Sequence, residues 1–391
     1  MPENPLKSLP PELRLLIALC RLEFSDREKM VVAGLVKEVK DWDYFVRMVN
    51  LHGVVALAWN CLNITGNANL IPTQCLDYLH QGYIKSISRN TKIYSLLDEV
   101  LKIAGENGIR VILLKGLALE LQYYGNMGLR QMNDLDLLVK KEDAVRFRNI
   151  LLGNGFSSMP IVSPLHEKFL PGYGKHLPEM YRDGLTVEIH FSLFHNETGL
   201  PSREFFREPG EIMFGEQTAN VLSPAHNFLY LVNHLDHHER QGYSQARLYT
   251  DIFLIARADS FRDMSQNITD LADRLNIREP IEEKMFVLGA FWDLSISDSR
   301  HITGEAAGRI TGRFIRLVES PREEVSISST ESTLKEFRNI KGLFNKAVFA
   351  TGTFIPSMKF MKYRYGTRSA IQTLLYYPYR WVILLKSLIF R

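Results

Sequence analysis

Apolar residues recur at spacings of three and four along the N-terminal part of the chain. The pattern is clearest in LRLLIALCRL (13–22) and DYFVRMVNLHGVVALAWNCL (43–62). Such spacing places apolar side chains on one face of an α-helix, and breakers such as Thr65-Gly66-Asn67 separate the segments. Residues 1–105 are therefore predicted to form a helical N-terminal region, and their residue types indicate no chemistry.

A strand-like pattern begins after Asn107-Gly108. IRVILL (109–114) and DLDLLV (134–139) are short apolar runs, and runs of this length and residue type favour buried strands. LALELQYYG (117–125) and KKEDAVRFRNILLGNG (140–155) end in glycine, which is typical of helix C-termini. The predicted order is strand, helix, strand, helix.

A hairpin is predicted next along the chain. HLPEMYR (176–182) and LTVEIHFSLF (185–194) flank Asp183-Gly184, a dipeptide that two-residue hairpin turns favour. Together these elements predict the α+β class, with a mixed-sheet core over residues 106–215.

Helical patterns resume after the core. Ser223-Pro224 combines a capping residue with a proline at the first helical position, which is typical of a helix start. We predict a helical domain over 216–340, in which the polar segment 321–340 is an exposed connection. Residues 341–391 are predicted to form basic, aromatic C-terminal helices.

Composition narrows the class of protein. The chain has 391 residues, of which 46% are hydrophobic and 23% charged, which excludes disordered, collagen-like and disulfide-scaffold proteins. Cys20, Cys61 and Cys75 are scattered and favour reduced core residues of a cytoplasmic protein. Glu12 and Arg14 interrupt the first apolar stretch, so a secretory signal is not expected. No apolar run reaches about 18 residues, so no spanning helix is expected either.

The net charge of +3 hides an asymmetry. Residues 341–391 contain nine Lys or Arg, eleven aromatic residues and no Asp or Glu. One interpretation is a set of helices whose basic faces are solvated. The alternatives are a contact with an anionic membrane surface, which would make the protein peripheral to a membrane, or with nucleic acid. Charge patterning alone does not choose among these three.

Two aspartates carry the sharpest chemical signal. In Asn133-Asp134-Leu135-Asp136 the carboxylates are two residues apart, and alternate side chains of a strand project from the same face. Neighbouring carboxylates repel each other unless a cation or a proton lies between them. Mg²⁺ commonly binds one or two carboxylates together with substrate phosphates. The alternative is an ordinary D-x-D at a strand edge.

A third carboxylate lies in the predicted hairpin. Glu188 alternates with Val187 and Ile189, and a glutamate is costly to bury without a partner. A cation shared with the aspartate pair would supply that partner, whereas a solvated glutamate is the plainer alternative. His190, and also His176, are expected to point toward the same cleft or to be ordinary strand histidines.

Lys115-Gly116 ends the first strand and opens a helix. Backbone N–H groups at such a turn favour phosphate, and glycine allows close approach. Arg130 lies just before the aspartates, where a guanidinium could bind a phosphate. Lys115, Gly116 and Arg130 are therefore candidate nucleotide-binding residues.

The string LLKGLALELQYYGNMGLRQMNDLDLLV, followed by VEIH, resembles the nucleotidyltransferase superfamily that includes DNA polymerase beta. It looks most like a bacterial branch with LLKG, DlDLLV and vElH elements, and the resemblance covers roughly residues 105–195. It implies a nucleotidyltransferase-type mixed-sheet core with helical N- and C-terminal regions. It also implies transfer of an NMP group from a nucleoside triphosphate to an unknown hydroxyl or phosphate acceptor.

The same resemblance assigns roles to the candidate residues. Asp134, Asp136 and Glu188 would be catalytic and would bind two Mg²⁺ ions, with Mn²⁺ as the alternative. In the superfamily the turn is usually Gly-Ser, whereas Lys115-Gly116 is followed by leucine and offers no hydroxyl. The departure leaves open an alternative function, a catalytically weak or inactive nucleotide-binding regulatory protein of the same fold.

One further group of histidines lies outside this pattern. His234, His237 and His238 share a predicted helix at spacings of three and four, which allows a metal site on one helix face. The H-E-x-x-H arrangement is absent. Helix packing, or polar groups on the acceptor side of the cleft, are the alternative roles.

Overall fold

The computed structural model describes residues 5–167, 175–194, 202–258, 260–294, 302–321, 337–338, 340 and 342–389. The chain divides into two compact units, each built from three segments. The first unit comprises Met1–Glu99, Ile112–Leu135 and Asn196–Val325. The second comprises Val100–Val111, Asp136–His195 and Ser326–Arg391. The four-part division of the sequence stays a prediction.

The N-terminal part of the first unit is helical, as the apolar spacing predicts. Its helices are α1 (Pro11–Ala18), α2 (Asp26–Glu38), α3 (Trp42–Leu51), α4 (Val55–Ile64) and the 34-residue α5 (Thr73–Glu106). Helix α2 begins with a reciprocal capping box, in which Ser25 and Glu28 bind each other's backbone N–H groups. The helical N-terminal region is therefore confirmed.

In the part of the chain that the structure describes, seven strands form one mixed sheet. They are β1 (Val111–Leu113), β2 (Asp134–Val139), β3 (Ser157–Ser158), β4 (Met180–Arg182), β5 (Leu185–His190), β6 (Gly210–Phe214) and β7 (Gln217–Val221). Their order across the sheet is β3-β4-β5-β2-β1-β7-β6. The α+β class, with a mixed sheet and helical flanks, is confirmed.

Two helices follow the first two strands, as predicted. Helix α6 (Lys115–Leu119) continues into a π-helical turn, Glu120–Tyr124, and ends at Gly125, which has a φ of 61°. Helix α7 (Lys141–Gly153) follows β2. Glycine at position 125 fits the left-handed conformation that commonly ends a helix.

The hairpin of strands β4 and β5 is also confirmed. Both turn residues have positive φ, 50° at Asp183 and 77° at Gly184, as two-residue hairpin turns of the favoured hand require. Met180 pairs with Val187, and Arg182 with Leu185. This register places Glu188 and His190 on the same face of β5, because alternate residues share a face.

A second hairpin, of strands β6 and β7, lies outside the sequence-based prediction. Its turn includes Gly215, which has a φ of 57°, and the predicted core boundary at 215 falls on that turn. Strand β7 runs parallel to β1, with Leu113 opposite Val221. Strand β7 therefore belongs to the sheet although it lies after residue 215, where the predicted core ends.

Helices resume after this hairpin. The Ser223 hydroxyl caps α9 by accepting from the His226 N–H, and Pro224 is the first helical residue, which confirms the predicted helix start. The helices of this region are α9 (Pro224–Arg240), α10 (Ala246–Arg257), α11 (Ser260–Asp263), α12 (Ser265–Leu275), α13 (Arg278–Trp292) and α14 (Gly304–Glu319). Helix α8 (Pro164–Glu167) precedes both hairpins and belongs to the second unit. The connection predicted at 321–340 lies almost wholly outside the described residues.

Three helices end the second unit: α15 (Leu343–Phe354), α16 (Met358–Tyr365) and α17 (Ala370–Ile389). Within this unit α15 packs on α8, where the His166 ring stacks on Phe349 and hydrogen-bonds its carbonyl at 2.9 Å. Gly352 allows this packing, since a Cβ there would lie 2.7 Å from His166 Nε2. Among the described residues, every helix is too short or too polar to cross a bilayer.

Candidate active site

Strand β2 carries both predicted aspartates. Asp134 begins the strand and is half-buried, whereas Asp136 is only 3% exposed. Leu135 and Leu137 between and beyond them are fully buried. Asp136 is therefore buried like the apolar residues on either side of it. A carboxylate in such a position requires a polar partner.

The partner comes from the neighbouring strand, β5. His190 Nε2 lies 2.8 Å from Asp136 Oδ1 and 3.2 Å from Glu188 Oε2. One ligand atom from each of these three side chains lies within 4.8 Å of the other two. The structure thus brings Asp136 and Glu188 together across two adjacent strands of the second unit.

This cluster fits a divalent cation. It offers two carboxylates and one imidazole nitrogen, all of which bind Mn²⁺ and similar ions, while the carboxylates also suit Mg²⁺. Asp136 and His190 are each 3% exposed, so water screens the charge of Asp136 only weakly, whereas the Glu188 side chain is 16% exposed. Within the described part of the chain, His190 Nδ1 is buried without a hydrogen-bond partner.

From the sequence alone, His190 and His176 are each either a residue of the cleft or an ordinary strand histidine. The structure joins the two by an antiparallel bridge, with ring centroids 5.2 Å apart. His176 Nδ1 makes its contact with the Leu177 carbonyl at 3.0 Å. His190 therefore contacts both carboxylates, whereas His176 contacts neighbouring strand atoms.

The turn at Lys115-Gly116 belongs to the first unit. Lys115 has a φ of 46°, a left-handed conformation that is uncommon and strained for a residue with a Cβ. A Cβ on Gly116 would lie 2.7 Å from Arg130 Nη1 and 3.0 Å from Met132 Cγ. Glycine at 116 therefore allows the Arg130 side chain to approach the turn.

Arg130 forms a buried ion pair. Its Nε and Nη2 donate to Asp251 Oδ1 and Oδ2 at 3.0 and 2.7 Å, and the Tyr124 hydroxyl donates to Oδ1 at 2.8 Å. Burial alone would lower the pKa of Arg130, but the pair with Asp251 outweighs it and leaves that pKa raised, with a smaller contribution from Asp134. The structure thus brings Arg130 to the Lys115-Gly116 turn, with two of its nitrogens engaged by Asp251.

Side chains hold the segment that leads into Asp134. Asn90 Nδ2 donates to the carbonyl of residue 130 at 2.9 Å, and Arg247 Nη1 to that of residue 131 at 2.7 Å. Arg89 donates through Nε and Nη2 to the carbonyls of residues 132 and 133, at 2.9 and 2.8 Å. Four successive carbonyls are thereby bound just before the strand begins.

These three side chains were not identified from the sequence. Asn90 and Arg89 lie on α5, about 40 residues before the carbonyls they bind, and Arg247 lies on α10, 116 residues after Gln131. No local pattern links such distant positions. Fixed carbonyls restrict the backbone, so the three residues orient the start of β2 within the first unit.

The histidines of α9 form local contacts. His238 Nε2 lies 3.2 Å from His234 Nε2, and His237 Nε2 lies 3.0 Å from the Gln241 side chain. His238 also packs against the Tyr243 ring at 5.0 Å. These contacts lie within α9 and the residues that directly follow it, and the helix-packing, cleft and metal roles of this group all stay predictions.

A family model matches the chain, and the chain is similar to a solved structure. A family model described as "Uncharacterised nucleotidyltransferase" matches residues 38–293. Among solved structures, the chain is similar to the solution structure of the antibiotic-resistance factor ANT(2'')-Ia, with 10% identity and a TM-score of 0.34. That similarity covers 52% of this chain and 98% of the other. A comparison with curated proteins finds no match.

The buried pair of Arg130 and Asp251 leads to a stability prediction. Asp251→Asn removes the negative charge while nearly preserving the shape, and leaves a buried guanidinium uncompensated. We expect the free energy of unfolding to fall by about 3–5 kcal/mol, measured by urea denaturation.

The matched control is Asp273→Asn, which breaks the exposed ion pair with Arg278, whose atoms are 2.7 Å apart. Exposed pairs contribute little to stability, so this variant should unfold near the wild-type midpoint. Equal midpoints for the Asp251 and Asp273 variants would contradict a structural role for the buried pair.

Proposed function

The chain belongs to the nucleotidyltransferase family whose model it matches, and on that premise we propose the reaction it carries out. It transfers an NMP group from a nucleoside triphosphate to a hydroxyl or phosphate acceptor, with release of pyrophosphate. The reaction depends on a divalent cation, Mg²⁺ or alternatively Mn²⁺. The observation that carries the proposal is the convergence of Asp136, Glu188 and His190 within 4.8 Å.

The proposed metal ligands are Asp134, Asp136 and Glu188. Support comes from the carboxylates of Asp136 and Glu188, which lie on adjacent strands and both approach His190 Nε2, at 2.8 and 3.2 Å. Like charges this close raise the free energy of the empty cluster, so a cation is favoured there. When bound, two such cations lower the pKa of an acceptor hydroxyl and offset the charge of the phosphates.

Lys115, Gly116 and Arg130 are the proposed phosphate-binding residues. Gly116 allows Arg130 to approach the turn, since a Cβ there would lie 2.7 Å from Arg130 Nη1. The Nη1 nitrogen of Arg130 is also the one that Asp251 does not engage, and its contact with the Gln131 carbonyl is long, 3.5 Å. We therefore assign Nη1 to a phosphate oxygen, while Asp251 fixes the plane of the guanidinium.

The most direct test is incubation of the purified chain with each NTP and Mg²⁺, in the presence of cell-extract small molecules. Pyrophosphate release and the masses of protein and small molecules are measured. Asp136→Asn and Glu188→Gln should each lower release by about a thousandfold, because each removes a ligand charge.

The control is Asp183→Asn in the hairpin turn, where the side chain is 88% exposed and asparagine tolerates positive φ. This variant should release pyrophosphate at the wild-type rate. Full activity in both carboxylate variants would contradict the assignment. Nucleotide binding without any pyrophosphate release would favour the regulatory alternative.

Arg89 supplies a separate kinetic prediction. If its bonds to the carbonyls of residues 132 and 133 orient Asp134, Arg89→Met should lower kcat about tenfold, since small misplacements of reacting groups are costly. The KM for NTP should change little, and Arg89→Lys, which keeps one donor, should recover part of the loss. A rise in KM with unchanged kcat would indicate that Arg89 contacts the nucleotide instead.

A further inference from the structure

The last helix of the second unit exposes a row of aliphatic side chains. We call this row the outer stripe. Its residues recur at three-, four- and seven-residue spacings on α17, which places them on one face of the helix. They are Ile371, Leu374, Leu375, Val382 and Leu385, between 48% and 76% exposed.

The opposite face of α17 is held by its own neighbours. Thr373 is fully buried and Leu384 is 9% exposed. The Tyr377 hydroxyl donates to the Pro356 carbonyl at 2.7 Å, and Trp381 Nε1 donates to the Phe354 carbonyl at 2.6 Å. These contacts fix the rotation of α17 within its unit. The outer stripe lies on the other face of the helix and is therefore exposed.

Five aliphatic residues in one row differ from isolated apolar residues on a surface. Single exposed leucines are ordinary in proteins, whereas a contiguous apolar patch marks an interaction surface. Burial of such side chains is favourable roughly in proportion to the apolar area removed from water. The outer stripe is therefore a surface that gains free energy when it is covered.

The basic residues around the outer stripe favour an anionic partner. Residues 341–391 contain nine Lys or Arg and no Asp or Glu. Lys359, Lys362, Arg368 and Lys386 are exposed on or beside the helices that carry the stripe. A second copy of the same surface would bring like charges together. Nucleic acid favours stacking on aromatic rings, whereas the stripe is aliphatic.

We propose that the outer stripe binds the chain to an anionic lipid surface. Helix α17 would lie in the plane of the interface, with the aliphatic row in the acyl boundary and the lysines near the headgroups, as interfacial amphipathic helices do. This arrangement needs no spanning helix. It also does not depend on the proposed catalytic function, so either proposal can fail without the other.

The test is co-sedimentation of the full chain with vesicles of phosphatidylcholine alone or of phosphatidylcholine mixed with phosphatidylglycerol. We expect binding to the mixed vesicles and little to the neutral ones. Raising the salt to about 0.5 M should weaken it, because the Debye length then falls to roughly 4 Å. Equal binding to both kinds of vesicle, or to neither, would overturn the proposal.

A triple variant tests the stripe itself. Its substitutions are Ile371→Ser, Leu375→Ser and Val382→Ser. They lie on exposed positions, so helicity measured by circular dichroism should be retained, while the partition coefficient should fall by at least about a hundredfold. The control triple variant carries substitutions at exposed apolar residues of the first unit, Met30→Ser, Ile64→Ser and Leu70→Ser, and should bind as wild type.

Three outcomes would overturn the proposal. If the stripe variant binds vesicles no more weakly than the control, other residues are responsible for the binding. If light scattering shows a dimer that only the stripe variant loses, with no vesicle binding, the stripe is assigned to a second copy. Retention of single-stranded RNA that the stripe variant loses, again without vesicle binding, assigns it to nucleic acid.

Discussion

Two carboxylates share one small and largely buried space in the second unit, and the cost of that proximity constrains the rest of the site. Asp136 and Glu188 approach each other from adjacent strands, with His190 Nε2 within 3.2 Å of both. Water screens such charges weakly when they are buried. A cation bound by the two carboxylates therefore lowers the free energy of the cluster.

In the first unit, the backbone that leads into β2 is constrained by the need of its carbonyl groups for hydrogen-bond donors. A chain entering a strand has carbonyl groups that need donors, and here Arg89, Asn90 and Arg247 supply them for four residues in succession. The donors come from two helices distant in sequence. The backbone before Asp134 is thus fixed by side chains before any ligand binds, which reduces the ordering that substrate binding must supply.

Much of this architecture could be predicted from local patterns. The hairpin at Asp183-Gly184 follows from turn chemistry, and the apolar runs around Asp134 and Glu188 identify both strands.

The β6–β7 hairpin could not be predicted in the same way, because its strands mix apolar and polar residues, although Gly215 is typical of a turn. The partner of Arg130 could not be predicted from local patterns, because Asp251 lies 121 residues away and an ion pair produces no periodic pattern in the sequence. The carbonyl contacts of Arg89 and Arg247 could not be predicted either, because their partners are also distant in sequence.

The cation site formed by Asp136 and Glu188 is tested most directly by Mn²⁺ binding, measured by electron paramagnetic resonance on the purified chain without nucleotide. Free Mn²⁺ gives a sharp signal that is lost on binding, so affinity is measured independently of turnover. We expect binding that Mg²⁺ displaces and that Asp136→Asn and Glu188→Gln each weaken by at least about tenfold. Equal affinity in the wild type and both variants would contradict a cation site between these two strands.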